Sequence, residues 1–205
     1  MLTQHRYVLV VLVLSFSLFT GCASTNVTGS WTKSDYAGQP FTSILVVGYT
    51  EDPTNRVFWE NIMSDKLEGD VEIIVKSLSA SPDDRKINKD ELLEYVNRKG
   101  IEAVLVTRLV DVKQETVYRP ASTNTGARYH RNYGSYFNHA QTQMSKPGSM
   151  VTQSVVLLET NLYEVKNKEL VWSMSSDTVE TNSVQQLMKS VSKSVRATLK
   201  KDKLI

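Results

Sequence analysis

The sequence predicts an α/β fold in which helices pack on a mixed sheet. Over residues 41–106, short continuous apolar runs alternate with stretches of helical length, and such runs are typical of strands buried on both faces. After residue 108 the chain changes to long alternating segments and ends in an amphipathic helix. A strand-helix-strand-helix-strand start followed by hairpins predicts a sheet with parallel and antiparallel parts.

The first half contains three strand signals and two helix signals. The apolar runs predict buried strands at 44–48, 71–78 and 101–106. Asp52 followed by Pro53 predicts a helix start, because Asp is a favoured N-cap and Pro fits the first turn, and the helix extends to about Leu67. Asn88 has capping-box spacing to an acid for the second helix, which Gly100 should end.

The second half predicts two hairpins and a closing helix. A strand over 101–118 and a second one over 150–165 match in length and form a long hairpin that projects beyond the sheet. A short hairpin turns near 166–168. Ser183 caps the last helix, whose apolar stripe should pack on the sheet. The stripe comprises Val184, Leu187, Met188, Val191, Val195 and Leu199.

The N-terminus has the features of a bacterial secretory signal. A short positive region precedes an apolar run at 8–19, which is too short for a membrane span of about 20 residues. Phe19-Thr20-Gly21-Cys22 resembles the lipobox of bacterial lipoproteins, in which a small residue precedes the cysteine that receives lipid. Phe19 stands where Leu is usual. The alternative is an unlipidated signal peptide with an incidental cysteine.

Cys22 is the one cysteine among 205 residues. Its thiol can take a diacylglycerol, and that group and an N-acyl chain such as palmitate would stabilise membrane attachment by about 0.8 kcal/mol per buried methylene. These covalent chains are the expected non-protein groups, and no cofactor is predicted. Ala23 follows instead of Asp, which by the lipoprotein resemblance implies the outer membrane, facing the periplasm.

The predicted organisation has three parts. Residues 1–21 are a signal peptide, 22–40 a lipidated flexible tether rich in Ser, Thr, Gly and Asn, and 41–205 a single α/β domain with a long loop insertion at 119–149. Without the signal the chain keeps 23 basic residues against 22 acidic ones. This near neutrality does not indicate a nucleic-acid partner or a polyanionic substrate.

The segments KGIEAVLVTRLVDV and LYEVKNKELVWSMSS resemble a set of small Gram-negative lipoproteins that share the fold of the TolB amino-terminal domain and the curli-secretion lipoprotein. Gly100-Ile101-Glu102-Ala103 corresponds to an opening before a buried strand, and Leu170-Val171-Trp172-Ser173 to the second half of a hairpin. Asn167 and Lys168 stand where that set has Thr-Gly. The resemblance implies an assembly, secretion or accessory factor, and none of its motif positions is catalytic.

Few residues suggest chemistry. A lipidated Cys22 is no nucleophile, and His130 and His139 lack the further ligands that a zinc site needs, so neither an enzyme nor a metal site is predicted. Arg56 and Glu60, four apart on the first helix, are interpreted as a surface ion pair.

The loop at 119–149 is the main candidate for contact with a partner. Its 31 residues include four basic and no acidic ones, and aromatic residues lie between the cations. Candidate partner-binding residues are Arg128, Tyr129, Arg131, Tyr133, Tyr136 and Phe137. The composition suits anionic headgroups, envelope polysaccharide or an acidic protein surface, and an idle disordered tip is the alternative. A second basic stripe, on the last helix, is interpreted as a solvated face. It comprises Lys189, Lys193, Arg196 and Lys200.

The sequence therefore predicts an outer-membrane lipoprotein that acts as a non-enzymatic interaction or accessory module of the envelope. Its partners would be the membrane and an envelope protein or polysaccharide, without nucleic acid. A second hypothesis is a subunit of an oligomeric secretion or pore assembly, because long hairpins at a comparable place build the pore of the curli-secretion relatives. An envelope hydrolase is the third and weakest hypothesis.

Overall fold

The computed structural model describes residues 24–34, 36, 38–80, 88–119, 132–144, 148–180 and 183–205. Six strands lie in the described part: β1 Thr25–Thr32, β2 Ser43–Tyr49, β3 Ile73–Lys76, β4 Ala103–Arg119, β5 Ser149–Glu164 and β6 Glu169–Val179. Five helices accompany them there: α1 Pro53–Leu67, α2 Ser77–Ala80, α3 Lys89–Lys99, α4 Tyr133–Met144 and α5 Val184–Lys201.

The strands form one mixed sheet in the order β1-β6-β5-β4-β2-β3. β2 is parallel to both β3 and β4, as the strand-helix-strand connections require. β4, β5, β6 and β1 pair antiparallel in succession. The predicted α/β class, with a mixed sheet, two hairpins and a C-terminal helix packed on the sheet, is confirmed.

Helices cover the two faces of the sheet unequally. α1 and α5 lie on what we call the first face, where Trp59 and Met63 of α1 pack in one core with Val195 and Leu199 of α5 and with strand residues such as Trp172. α3 lies on the second face, where Val96 packs in a smaller core with the side chains that β2 and β4 direct to that face. The main core is therefore sandwiched between the sheet and the α1–α5 pair.

The helix boundaries follow the predicted capping residues. The Asp52 carboxylate accepts from the backbone N–H of Thr54 at 2.8 Å, and the Asn88 side chain accepts from that of Asp90 at 3.0 Å. Ser183 caps α5 through the N–H of Gln186 at 3.4 Å. Gly100 ends α3 with φ +65°, a left-handed conformation that favours glycine.

The flexible tether predicted for 22–40 is wrong where the structure describes it as a strand. β1 pairs with β6 along its length, with Thr25 opposite Thr178 and Thr32 opposite Trp172. The Thr25 hydroxyl also donates to Ser190 of α5 at 2.8 Å. The sequence is polar because β1 is an edge strand, which needs backbone pairing but little apolar burial.

Two further predictions need correction. The strand predicted over 71–78 ends at Lys76, because Ser77 begins α2 and turns its hydroxyl into a buried polar cluster described below. The insertion predicted as a loop over 119–149 contains the 12-residue helix α4. β4 ends at Arg119 and β5 begins at Ser149, so the predicted long hairpin is correct in its extent.

Candidate functional site

β4 and β5 continue together beyond the rest of the sheet. β2 accompanies β4 as far as Arg108, and β6 accompanies β5 only from Val155 onward. Past these points, residues 114–119 of β4 pair with residues 149–154 of β5, and no other described strand pairs with either segment. We call these two segments the arm and the remaining described sheet and helices the body. Six residues of extended chain make the arm about 20 Å long.

A bulge marks the base of the arm. Val110 is the extra residue between Leu109, opposite Leu158, and Asp111, opposite Leu157. Such an insertion increases the local twist and re-aims the strand as it leaves the sheet. The bulge occurs within a few residues of where β4 loses its neighbour β2.

The first face of the arm changes from polar to apolar toward its tip. Gln114 donates to Ser154 at 3.0 Å, and the next pair, Thr116 and Thr152, shares a hydrogen bond of 3.2 Å. The last pair is Tyr118 opposite Met150, with 62% and 66% of these side chains exposed. Polar cross-strand bonds thus hold the arm together, and its tip presents apolar groups to the surroundings.

α4 belongs to the connection between the two strands of the arm. Asn132 caps it by accepting from the backbone N–H of Ser135 at 2.8 Å. The spacing of Tyr133, Tyr136 and Phe137 places all three on one side of the helix, and they are 86%, 58% and 70% exposed. The structure therefore brings these three candidate residues together on a helix, where the sequence had predicted a loop.

The other candidate residues lie outside the described residues. These are Cys22, the predicted lipidation site, and Arg128, Tyr129 and Arg131 of the predicted partner-binding set. Their roles stay predictions. What the structure adds is the surroundings on either side: β1 begins three residues after Cys22, and α4 follows Arg131 almost directly.

An apolar cleft of about 220 Å³ opens where the arm leaves the body. Its floor is the first face of β4 and β5, and the start of α5 forms one wall. Apolar side chains provide most of the lining: Leu109, Val112, Val156, Leu158, Leu187 and Met188. Val184, predicted as part of the buried stripe of α5, is instead about half exposed and lies at the rim. The cleft suits an apolar occupant, since apolar side chains make up most of its lining.

Trp59 of α1 closes the inner end of the cleft. Its ring lies so close to β2 that a Cβ on Gly48 would stand 3.0 Å from its Cδ1 atom, which explains glycine at that position. The indole N–H is buried without a hydrogen-bond partner among the described residues. A buried donor without a partner costs free energy. Among the described residues, packing in the main core is what holds this tryptophan in place.

A buried polar cluster lies behind Trp59, and it was misread from the sequence. Arg56 and Glu60 are not a surface pair: their side chains are 1% and 0% exposed, with 3.3 Å between Arg56 Nε and Glu60 Oε1. Glu60 also accepts from the Ser77 hydroxyl, from Gly48 N–H at 3.1 Å and from Leu78 N–H at 3.2 Å. Arg56 Nη2 donates to Ser77 Oγ at 2.8 Å.

This cluster ties three elements together at one end of the sheet. Through Glu60, α1 is bonded to the end of β2 and to the start of α2. A buried carboxylate is tolerated only when its oxygens are satisfied, and here both are. The geometry gives the cluster a positioning role, since it fixes Gly48 and hence the fit of Trp59 beside the cleft.

The basic stripe of α5 is partly neutralised within the protein. Arg196 Nε and Lys200 Nζ lie 2.5 and 2.7 Å from the two carboxylate oxygens of Asp70. The hydrogen bond from Arg196, followed by that from Lys200, lowers the pKa of Asp70 below its usual range. Two of the four residues of the stripe therefore connect α5 to the turn after α1. The sequence had predicted only a solvated face for all four.

Among the described residues, no three His, Cys, Asp or Glu side chains lie together so that they could hold a metal ion. None of the described helices is both long enough and apolar enough to cross a bilayer.

No protein-family model and no curated protein matches the chain. Among solved structures it is similar to PelC from Paraburkholderia phytofirmans, a dodecamer, at 17% identity over 83% of this chain and 96% of that one, with a TM-score of 0.46. A single-substitution variant of PelC, in another crystal form, is 16% identical over 86% of this chain and 95% of that one, with a TM-score of 0.44. Lipoprotein GNA1162 from Neisseria meningitidis is 15% identical over 78% of this chain and 99% of that one, with a TM-score of 0.38. Similarity at this level carries no functional argument.

Proposed function

We propose that the chain is a lipid-anchored protein of the bacterial outer membrane that faces the periplasm and acts as a non-enzymatic interaction module of the cell envelope. The arm is the observation that carries this proposal. It holds two strands outside the body, with exposed apolar residues at the tip and with outer edges that pair with no other described strand, although the Ser154 carbonyl accepts from the Glu180 N–H. Natural proteins seldom leave such a ribbon uncovered unless it contacts something.

The anchor part of the proposal rests on the sequence around Cys22. The lipobox-like tetrapeptide makes this thiol the acceptor of lipid, and Ala23 fits outer-membrane sorting. A Cys22→Ser variant should move the protein from the membrane fraction to the soluble periplasm. The matched control is Ser24→Ala, which leaves the thiol in place and should leave the protein in the membrane. A Cys22→Ser protein that stays with the outer membrane would refute the anchor.

The non-enzymatic part is supported by the state of the most buried acid. Both oxygens of Glu60 accept hydrogen bonds from the body, so the contacts of this carboxylate are structural. The cleft beside it has an apolar lining. Binding of an apolar group agrees better with these surroundings than acid–base chemistry does.

The interaction role is tested by shortening the arm. Gln114 and Ser154 are directly opposite each other, so an Asn-Gly turn that replaces 115–153 should close the hairpin at that pair and leave the body intact. A matched control, Lys168→Gly, gives an Asn-Gly turn at Asn167 at the other end of the sheet. We expect the shortened protein to lose its crosslinked envelope partners in cells and the control to keep them. If the shortened protein keeps every partner and phenotype, the role assigned to the arm is wrong.

A second candidate function is a subunit of an oligomeric envelope assembly. The observation that favours it is the free backbone of the arm: in the described residues, β4 after Arg108 and β5 before Ser154 each present an unpaired edge. Such edges can pair with a second copy of the chain. The mass of the detergent-extracted protein distinguishes the two candidates, because a monomer that persists at high concentration argues against an assembly.

A further inference from the structure

β1 begins at the end of the sheet from which the arm extends. Thr25 pairs with Thr178 on β6, Thr178 pairs with Val156 on β5, and Val156 pairs with Val112 on β4. β1 therefore starts level with the base of the arm. Because β1 is antiparallel to β6, β6 to β5 and β5 to β4, the first residue of β1, Thr25, is at the end of that strand that faces the direction in which β4 continues.

The arm reaches further in that direction than the anchor can. Three residues of chain separate Cys22 from Thr25, so the cysteine lies at most about 11 Å from it. From Val112 to Arg119 the strand advances seven residues, or about 23 Å. The tip of the arm thus extends about 12 Å past the furthest point at which Cys22 can stand. A lipid on Cys22 holds the bilayer surface at or before that point.

We propose that the arm contacts the surface of an anionic phospholipid bilayer, with its tip in the headgroup region. This inference rests on the proposed lipidation of Cys22, which sets the distance to the bilayer. The unpaired edges of a lone strand pair are too polar for the hydrocarbon core, so the arm lies along the surface and does not cross it. The apolar cleft at its base opens at the same end of the body.

The chemistry of the tip fits that location. Tyr118 and Met150 are exposed at the end of the arm, and the connection beyond them carries the aromatic face of α4. Aromatic side chains with a polar group favour the membrane–water interface. Residues 119–149 contain four basic and no acidic residues, which attracts them to anionic headgroups. A polar ladder over Gln114 and Thr116 keeps the rest of the arm suited to water and headgroups.

The test places a fluorescent probe on the arm of the lipidated protein. After lipidation Cys22 is a thioether, so a Met150→Cys variant offers one reactive thiol for an environment-sensitive maleimide dye. The matched control is Asn167→Cys, at the exposed turn of the β5–β6 hairpin and at the opposite end of the sheet. A third variant, Thr152→Cys, lies on the same face one pair closer to the body. Each protein is reconstituted in vesicles of phosphatidylethanolamine and phosphatidylglycerol that contain a headgroup-linked nitroxide quencher.

We expect several-fold greater quenching at position 150 than at position 167, with position 152 between them. Flotation of the vesicles and the mass of the protein report lipidation separately. A protein that carries lipid and floats, with equal quenching at positions 150 and 167, overturns the contact and leaves the anchor standing. A protein without diacylglycerol that does not float refutes the proposed function, and this inference falls with it.

Discussion

Two threonine pairs on the same two strands show how differently the body and the arm are built. Thr107 and Thr160 share a hydrogen bond of 2.9 Å and are buried, whereas Thr116 and Thr152 share one of 3.2 Å and are exposed. Both pairs bridge β4 and β5 on the first face of the sheet. The difference lies in the helices, since α1 and α5 cover the body and no described helix covers the arm. Whether helices cover the strands, more than the sequence of the strands, therefore decides which part of the sheet is buried and which part is exposed for contact.

The largest loss of stability is expected inside the body, at the buried polar cluster. Glu60→Ala should lower the free energy of unfolding by about 3–5 kcal/mol, because it leaves the Arg56 guanidinium buried without its carboxylate. Glu94→Ala is the matched control, since Glu94 forms an exposed ion pair with Arg98 at the same spacing, and it should cost less than about 1 kcal/mol. Urea unfolding of the soluble Cys22→Ser form measures both. Equal losses would contradict the structural role of the cluster.

The buried and the exposed threonine pairs should differ in their contribution to stability. Thr107→Val should cost about 1–2 kcal/mol, because the Thr160 hydroxyl stays buried without its partner. Thr116→Val in the arm should change the free energy of unfolding by less than about 0.5 kcal/mol, since water replaces the lost bond. The double variant Thr107→Val with Thr160→Val should regain most of the loss. Its failure to do so would show that packing, not the hydrogen bond, sets the cost.

The Asp70 ion pairs give a pH-dependent contribution to the body. Their hydrogen bonds lower the pKa of Asp70 in the folded protein, so the stabilisation is present above the ordinary Asp pKa of about 3.9 and is lost as the pH falls through the lowered value. Asp70→Asn should cost about 1 kcal/mol at pH 7, limited by solvent screening of the partly exposed Arg196 and Lys200.

Unfolding of both proteins between pH 7 and pH 2 tests this contribution. The difference should shrink toward zero at the acid end, where the wild-type carboxyl becomes neutral like the amide. A difference that stays constant over that range would mean that Asp70 acts through its shape and not through its charge.

The smallest effect on stability is expected at the tip of the arm. Tyr118→Ser should change the free energy of unfolding by less than about 0.5 kcal/mol, because the ring is mostly exposed. Leu105→Ser on the same strand, within the main core, should by contrast lower the urea midpoint strongly. Comparable losses at the two sites would show that the tip is packed against the body.

Local signals in the sequence predicted local structure well. Asp52, Asn88, Ser183 and Gly100 define helix ends in the structure as they did in the sequence, because capping depends on residues within one turn. The extent of β4 and β5 was also readable, since alternation continues through both strands. These features need no knowledge of distant parts of the chain.

What escaped prediction depends on distant partners. The edge strand β1 is polar and contains glycine, and it becomes a strand only because β6, some 150 residues later, provides its hydrogen bonds. The spacing of Arg56 and Glu60 predicted their pairing but not their burial, which depends on Ser77 and the end of β2. α4 lacked a strong apolar period, so its aromatic face looked like loop composition.

The pairing of β1 with β6 has a mechanical consequence. If Cys22 holds the chain to the bilayer, a pull on the lipid reaches the sheet at Thr25 and acts along the axis of β1. The hydrogen bonds of an antiparallel pair run perpendicular to the strands, so such a pull shears the bonds between β1 and β6 together and does not peel them apart one at a time. β1, the first described strand after the cysteine, would thus distribute tension on the lipid over the whole edge of the sheet.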